Sequence, residues 1–294
     1  MKSLKKISVF ILVGVISISL YGCSSDKKEN KNAEDLIKIN KNASDLVDRY
    51  EVPHGYKRVD AEKDSFAEYI RHEKLKNYGE KSLYYNGKEK DSEGVYDSVF
   101  DVDLENRDLL HCADMCFKFR GDYLYSTGQY SKIKFHFVSN GIADFSKYAE
   151  GYRVNPDTGE YYMSTNPSTS EETYKKFMNL VYAYSGTLSL EKDTHKINVD
   201  QMQIGDMFVR GGTPGTKRVG HAIMVVDMAV DNSGQKVFML AQSYMPAQQP
   251  QILINKNNKK ISPWYSIEEV KKYGELKTPQ WTFTLDEFKR FSDI

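Results

Sequence analysis

The stretch Gly205–Gln248, GDMFVRGGTPGTKRVGHAIMVVDMAVDNSGQKVFMLAQSYMPAQ, carries the strongest structural signal in the chain. It begins with a short apolar run, Met207-Phe208-Val209. A loop follows in which Gly211, Gly212, Pro214 and Gly215 break any regular structure. His221–Val226 and Lys236–Ala241 are apolar and β-branched enough to be buried strands, and Asp231-Asn232-Ser233-Gly234 between them supplies a hairpin turn. Such a turn sets Ile223 opposite Gln242. His221 then lies diagonal to Gln242 on one face, because side chains alternate along a strand. A register shifted by one would offer Ser243 instead. The same alternation puts Asp227 on the face of His221. A histidine beside a polar partner at a strand start is half of a catalytic arrangement, and the other half must come from elsewhere in the chain.

The segment from about Asn106 to Tyr125, NRDLLHCADMCFKFRGDYLY, is predicted as a helix. Cys112, Cys116, Phe119 and Tyr123 recur at helical spacing and form its buried stripe. With Asp108 as N-cap, Cys112 sits in or just past the first turn, where backbone N–H groups and the helix dipole favour a thiolate. With a start at Asp103 the cysteine sits too deep for that help, and both caps remain open. Two cysteines four apart on a helix are poorly aimed for bonding each other. Cys112 taken alone reads as a core residue, since a free thiol packs like a small hydrophobe. His111, Cys112 and Cys116 lack a further ligand for a metal site, and no metal or other cofactor is expected.

A helix bearing a cysteine, followed by an antiparallel sheet bearing a histidine, permits cysteine hydrolysis. A free thiol is only a few per cent ionised at neutral pH, so an imidazole must stabilise the anion and later protonate the leaving amine, while a third polar group fixes the imidazole tautomer. Cys112 as nucleophile, His221 as base and acid and Gln242 as orienting group fit these roles. The Cys112 backbone N–H is a candidate oxyanion donor. Such a pairing predicts that Cys112 reacts with iodoacetamide at pH 6. Tyr244, Trp264 and Trp281 are candidate cleft residues, although aromatic side chains of this kind more often fill a core.

The order of these elements, with Gly205-Asp206-Met207-Phe208-Val209 and then Gly220-His221-Ala222-Ile223-Met224-Val225-Val226, resembles papain-like peptidoglycan amidases of the NlpC and CHAP types. The resemblance implies an α+β fold, with a nucleophile-bearing helix packed on an antiparallel sheet. Here the nucleophile reads His111-Cys112-Ala113-Asp114, and the long interval to His221 implies inserted elements. From Val52 to Phe291 the segments SFAEYI, HCADMCFKFRGDYLY, GDMFV, GHAIMVVDMA, LAQSYMPAQ, SPWY and TPQWTF are similar to bacterial lipoproteins of domain-of-unknown-function family 4846. That resemblance implies an envelope lipoprotein and carries no activity with it.

The N-terminus points to the same compartment. Lys2, Lys5 and Lys6 precede an apolar run, Ile7 to Leu20, that is shorter than a bilayer span. Leu20-Tyr21-Gly22-Cys23 then looks like a lipobox with Cys23 as the lipidated residue. The expected organisation is a signal peptide over 1–22, a lipidated flexible spacer over 23–51 and a single domain over 52–294. The expected protein is extracytoplasmic and membrane-anchored through Cys23, and peptidoglycan or a peptide is the partner of its cleft. The 41 basic and 41 acidic residues cancel, which argues against a nucleic-acid partner. Two functions follow from these residues. One is a cysteine hydrolase of amide bonds. The other is a non-catalytic envelope lipoprotein that binds a glycan, peptide or protein through the same cleft.

Overall fold

A computed structural model describes residues 37–91, 94–213, 215 and 219–292. The expected signal peptide and Cys23 lie outside the described residues. The first half of the chain contributes α1 (Leu46–Arg49), β1 (Tyr56–Arg58), α2 (Phe66–Arg71), β2 (Tyr96–Val99) and the central helix α3 (Cys112–Ser126). Two hairpins follow, β3 (Lys134–His136) with β4 (Ile142–Asp144) and β5 (Tyr152–Val154) with β6 (Tyr161–Met163), separated by α4 (Phe145–Ala149). Helices α5 (Glu171–Tyr184) and α6 (Thr187–Lys192) lead to β7 (Thr194–Lys196). The strands β8 (Met207–Arg210), β9 (His221–Asp231), β10 (Lys236–Gln242), β11 (Gln251–Leu253) and β12 (Tyr265–Ser266) come next. Helix α7 (Ile267–Tyr273), the hairpin β13 (Glu275–Lys277) with β14 (Thr282–Thr284), and β15 (Phe288–Phe291) complete the chain.

The main sheet runs β2-β11-β10-β9-β8-β15-β7, with β1 added on β9 and β12 on β10. Every pairing within it is antiparallel. Its centre is buried on both faces, so β8, β9 and β10 are nearly continuous apolar runs rather than alternating ones. Met207, Val209, Ala222, Met224, Met239 and Ala241 turn to one face and pack with α3 residues such as Ala113, Cys116 and Phe119. Phe208, Ile223, Val225, Phe238 and Leu240 turn to the other and pack with Tyr265, Val270 and Phe283. The protein is a mixed α/β fold with a large antiparallel sheet and several helices.

Three local expectations meet a different outcome. Next to the hairpin turn, Lys236 pairs with Val230, and a bulge between Met239 and Leu240 then restores the pairing expected near His221. The bulge adds one residue to β9, which reverses the alternation beyond it. Asp227 therefore faces away from His221 and takes Arg58 and Arg71, each at 2.7 Å. The body also begins before Val52. Leu46 and Tyr50 are fully buried, and the buried Arg49 donates to the carbonyls of Ala43 and Lys76, so residues 37–50 of the expected spacer are packed structure. Finally, α3 is capped by neither aspartate: its N-cap is His111, and the Asp114 carboxylate reaches back to accept the His111 N–H at 3.0 Å.

Candidate active site

Cys112 is the first residue of α3, and the loop that leads into it is held by the loop after β10. Asp108 accepts the Ala247 N–H at 2.7 Å, and the Ser243 hydroxyl bridges the carbonyls of Leu110 and Gln248. This segment lies where β10 leaves β9, since their pairing ends at Ala241 with Met224. Val225 donates to Asp206 on the β8 side, so by ladder alternation the N–H of Ala222 points towards β10. The Cys112 thiol comes within the influence of that N–H, along with those of Ala113 and of its own residue. The nucleophile candidate thus meets the sheet one residue beyond His221.

His221 begins β9 after a glycine that no other residue replaces: a Cβ at Gly220 would collide with Thr187, Gly212 and the Arg210 carbonyl. Its Nε2 lies 3.1 Å from Gln242 Oε1, the diagonal pair expected from the sequence. Gln242 donates its own amide N–H to Gln280 Oε1 at 2.6 Å. That bond turns the Gln242 oxygen to the imidazole, which places the proton on Nε2 and leaves Nδ1 with the lone pair. The Trp281 ring stacks on the imidazole at 4.6 Å and 18°, and the Tyr244 ring lies 5.1 Å away. Trp281 Nε1–H donates to the Tyr244 hydroxyl at 3.2 Å, closing an aromatic cover over the histidine.

Burial dominates the electrostatics. It pushes the Cys112 thiol up to about 11, helped by the Asp114 charge and opposed by the nearby backbone N–H groups. A helix terminus contributes about 0.3–1 kcal/mol to a charge beside it, whereas full desolvation moves a pKa by up to about 3–5 units. Desolvation wins, so the thiolate expected from the helix dipole is not the resting form. His221 is pushed down to about 4 by burial, opposed by the Gln242 hydrogen bond and reinforced by the cations Lys90 and Arg210. The resting pair is a neutral thiol and a neutral imidazole.

Of the expected site residues, His221, Gln242, Tyr244 and Trp281 come together, and Cys112 reaches the chain at the adjoining Ala222. Trp264 takes no part. It is fully buried in the cluster on the α3 face, with Nε1 donating to the Glu51 carbonyl at 3.1 Å. Cys112 and Cys116 are both free. Among the described residues no group of three His, Cys, Asp or Glu side chains is placed to hold a metal ion. Sequence reasoning missed four neighbours. Gln280 orients Gln242, and Arg210 stands 5.7 Å over Trp281 while bound to Glu287. Lys90 is a buried cation 5.6 Å from the Tyr244 ring. Gln248 is buried with neither amide atom hydrogen-bonded among the described residues. Gln280 stands beside Trp281 and Gln248 ends the LAQSYMPAQ segment, so both were visible. Nothing local marks Lys90 or Arg210.

A family model, domain of unknown function (4846), matches residues 46–290, and the chain belongs to that family. No curated protein and no solved structure matches it. Among the described residues no helix is long and apolar enough to cross a membrane.

Proposed function

We propose that this member of domain-of-unknown-function family 4846 is a papain-like cysteine hydrolase that cleaves amide bonds in peptidoglycan or peptides, tethered to the cell envelope through a lipidated Cys23. One observation supports the reading: Cys112 opens α3 with its thiol at the N–H of Ala222, the residue that follows a His221 whose tautomer Gln242 and Gln280 fix. Because both groups rest neutral, the imidazole acts as a general base during attack rather than as a standing ion-pair partner. The reading requires Nδ1 to reach the thiol from the opposite sheet face; it then takes the thiol proton as sulfur bonds to the amide carbon, and the Cys112 N–H holds the developing oxyanion. The imidazolium then protonates the leaving nitrogen as the C–N bond breaks. Water, deprotonated by the same nitrogen, releases the acyl group from sulfur.

The test is digestion of purified muropeptides by the full chain, read by mass spectrometry. Wild type is expected to release products, and Cys112→Ser and His221→Ala to slow release by at least ~10³-fold. Undiminished hydrolysis by Cys112→Ser would rule out the nucleophile. A second reading is favoured by a specific observation: the imidazole is on the sheet face turned from α3, buried beneath Trp281 and Tyr244. On that reading the protein is a non-catalytic envelope lipoprotein binding a glycan, peptide or protein partner, and wild type releases nothing.

A further inference from the structure

A cavity of about 500 Å³ lies between α3 and α5, walled by the loop that leads to Cys112. Its size is that of a small-molecule site. The two helices approach closely because residue 121 is glycine: a Cβ there would meet the Tyr174 hydroxyl at 2.7 Å. On the floor, the Asp122 carboxylate accepts from Tyr174 at 2.7 Å and pairs with Lys118 at 2.5 Å. At the rim, Lys175 is taken by Glu171 at 2.8 Å. Lys175 also feels Glu105 and Asp103, but four carboxylates, Asp103, Glu105, Asp122 and Glu171, line the space against three cations, Arg107, Lys118 and Lys175, so the lining keeps an excess of one negative charge. Tyr69, Tyr125, Tyr174 and Tyr182 line the same space, and Leu104, Leu109, Leu110 and Met178 give it an apolar side. Asp122 holds the Tyr69, Tyr174 and Tyr182 phenols above their usual range, in addition to the effect of burial. The interior therefore sits in a negative field. Glu105 and Asn106 are consecutive left-handed residues (φ 52° and 53°), and Asn179 ties the Glu105 carboxylate to α5 at 2.9 Å. Backbone conformations of this cost concentrate at ligand clamps.

We propose that this cavity binds an organic amine, a primary ammonium on a short aliphatic stem, with the ammonium towards Asp122 and Glu105 and the stem against Leu109, Leu110 and Met178. Carboxylate and phenol oxygens accept the ammonium hydrogens, and desolvated aromatic rings favour a cation over a neutral group of the same shape. The site is separate from the Cys112–His221 chemistry and stands whether or not that chemistry operates.

The experiment is calorimetric titration of the full chain with n-pentylamine and, as its neutral counterpart, 1-pentanol. The amine is expected to bind at least about tenfold more tightly than the alcohol, a difference of about 1.4 kcal/mol. Glu105→Gln, on the wall loop, is expected to weaken amine binding at least about fivefold, since it removes a charge-assisted hydrogen bond. Met178→Trp, which puts a larger side chain on the apolar wall, is expected to abolish it while the unliganded variant still melts cooperatively. Equal binding of amine and alcohol, no binding of either, or unchanged binding by the Met178→Trp variant would each overturn the proposal.

Discussion

Cys112 and His221 both rest in their uncharged forms, and each makes a pH-dependent prediction. His221 has a folded pKa of about 4 against an ordinary value of 6.5. The unfolded chain therefore takes up a proton at higher pH than the folded one. The resulting stability is fully present above about pH 6.5 and is lost as pH falls towards 4, to a total of about 3 kcal/mol. Urea unfolding at pH 7 and pH 4.5 is expected to show wild type losing more stability than His221→Gln; equal losses would contradict the buried neutral imidazole. Cys112 has the opposite sign. Its thiol is raised to about 11, so its ionisation is delayed on folding. Iodoacetamide labelling at Cys112 is expected to lag behind free cysteine from pH 6 to 9 and to catch up only near pH 11. Rapid labelling at pH 6, the outcome expected from the sequence alone, would mean that a thiolate–imidazolium pair exists after all.

The element that positions Cys112 is a loop, not a helix or strand. The Ser243 hydroxyl spans the Leu110 and Gln248 carbonyls from a fully buried position. Ser243→Ala is expected to cost about 1–3 kcal/mol, because buried acceptors are left without their donor. It should also lower kcat on any muropeptide substrate more than it raises KM. A loss of stability with kcat intact would limit Ser243 to a structural role. Helix α3 itself explains why its stripe was misjudged. Ala113, Met115, Cys116, Phe117, Phe119 and Leu124 are buried around most of its circumference, so it is a central helix packed on two sides. A single apolar face is the signature of a surface helix only. Helix α2, by contrast, is capped locally: Ser65 accepts the Glu68 N–H.

At the scale of the molecule, the N-terminal segment is a clasp. Arg58 joins the Tyr50 carbonyl to Asp227 in the centre of β9, and Tyr50 reaches Asp97 and Ser98 at the sheet edge. Full burial of an apolar side chain is worth roughly 1.5–3 kcal/mol, and Leu46 and Tyr50 supply two of them. A chain beginning at Val52 is therefore expected to melt at least ~10 °C below one beginning at Ile37. Coincident melting curves would return residues 37–51 to the status of a spacer.

The sequence by itself determined the central hairpin, the His221–Gln242 diagonal and the cysteine-bearing helix, because strand alternation, turn residues and helical spacing are local properties. It also carried the family resemblance. Tertiary structure alone decided three matters. One was the face taken by Asp227, which depends on a bulge that no residue pattern marks. Another was the separation of Trp264 from Trp281, which both follow a proline within two residues but enter opposite sides of the sheet. The last was the charge state of Cys112 and His221: the helix dipole can be read from position in the chain, but the desolvation that outweighs it comes from side chains distant in sequence that fold over the site.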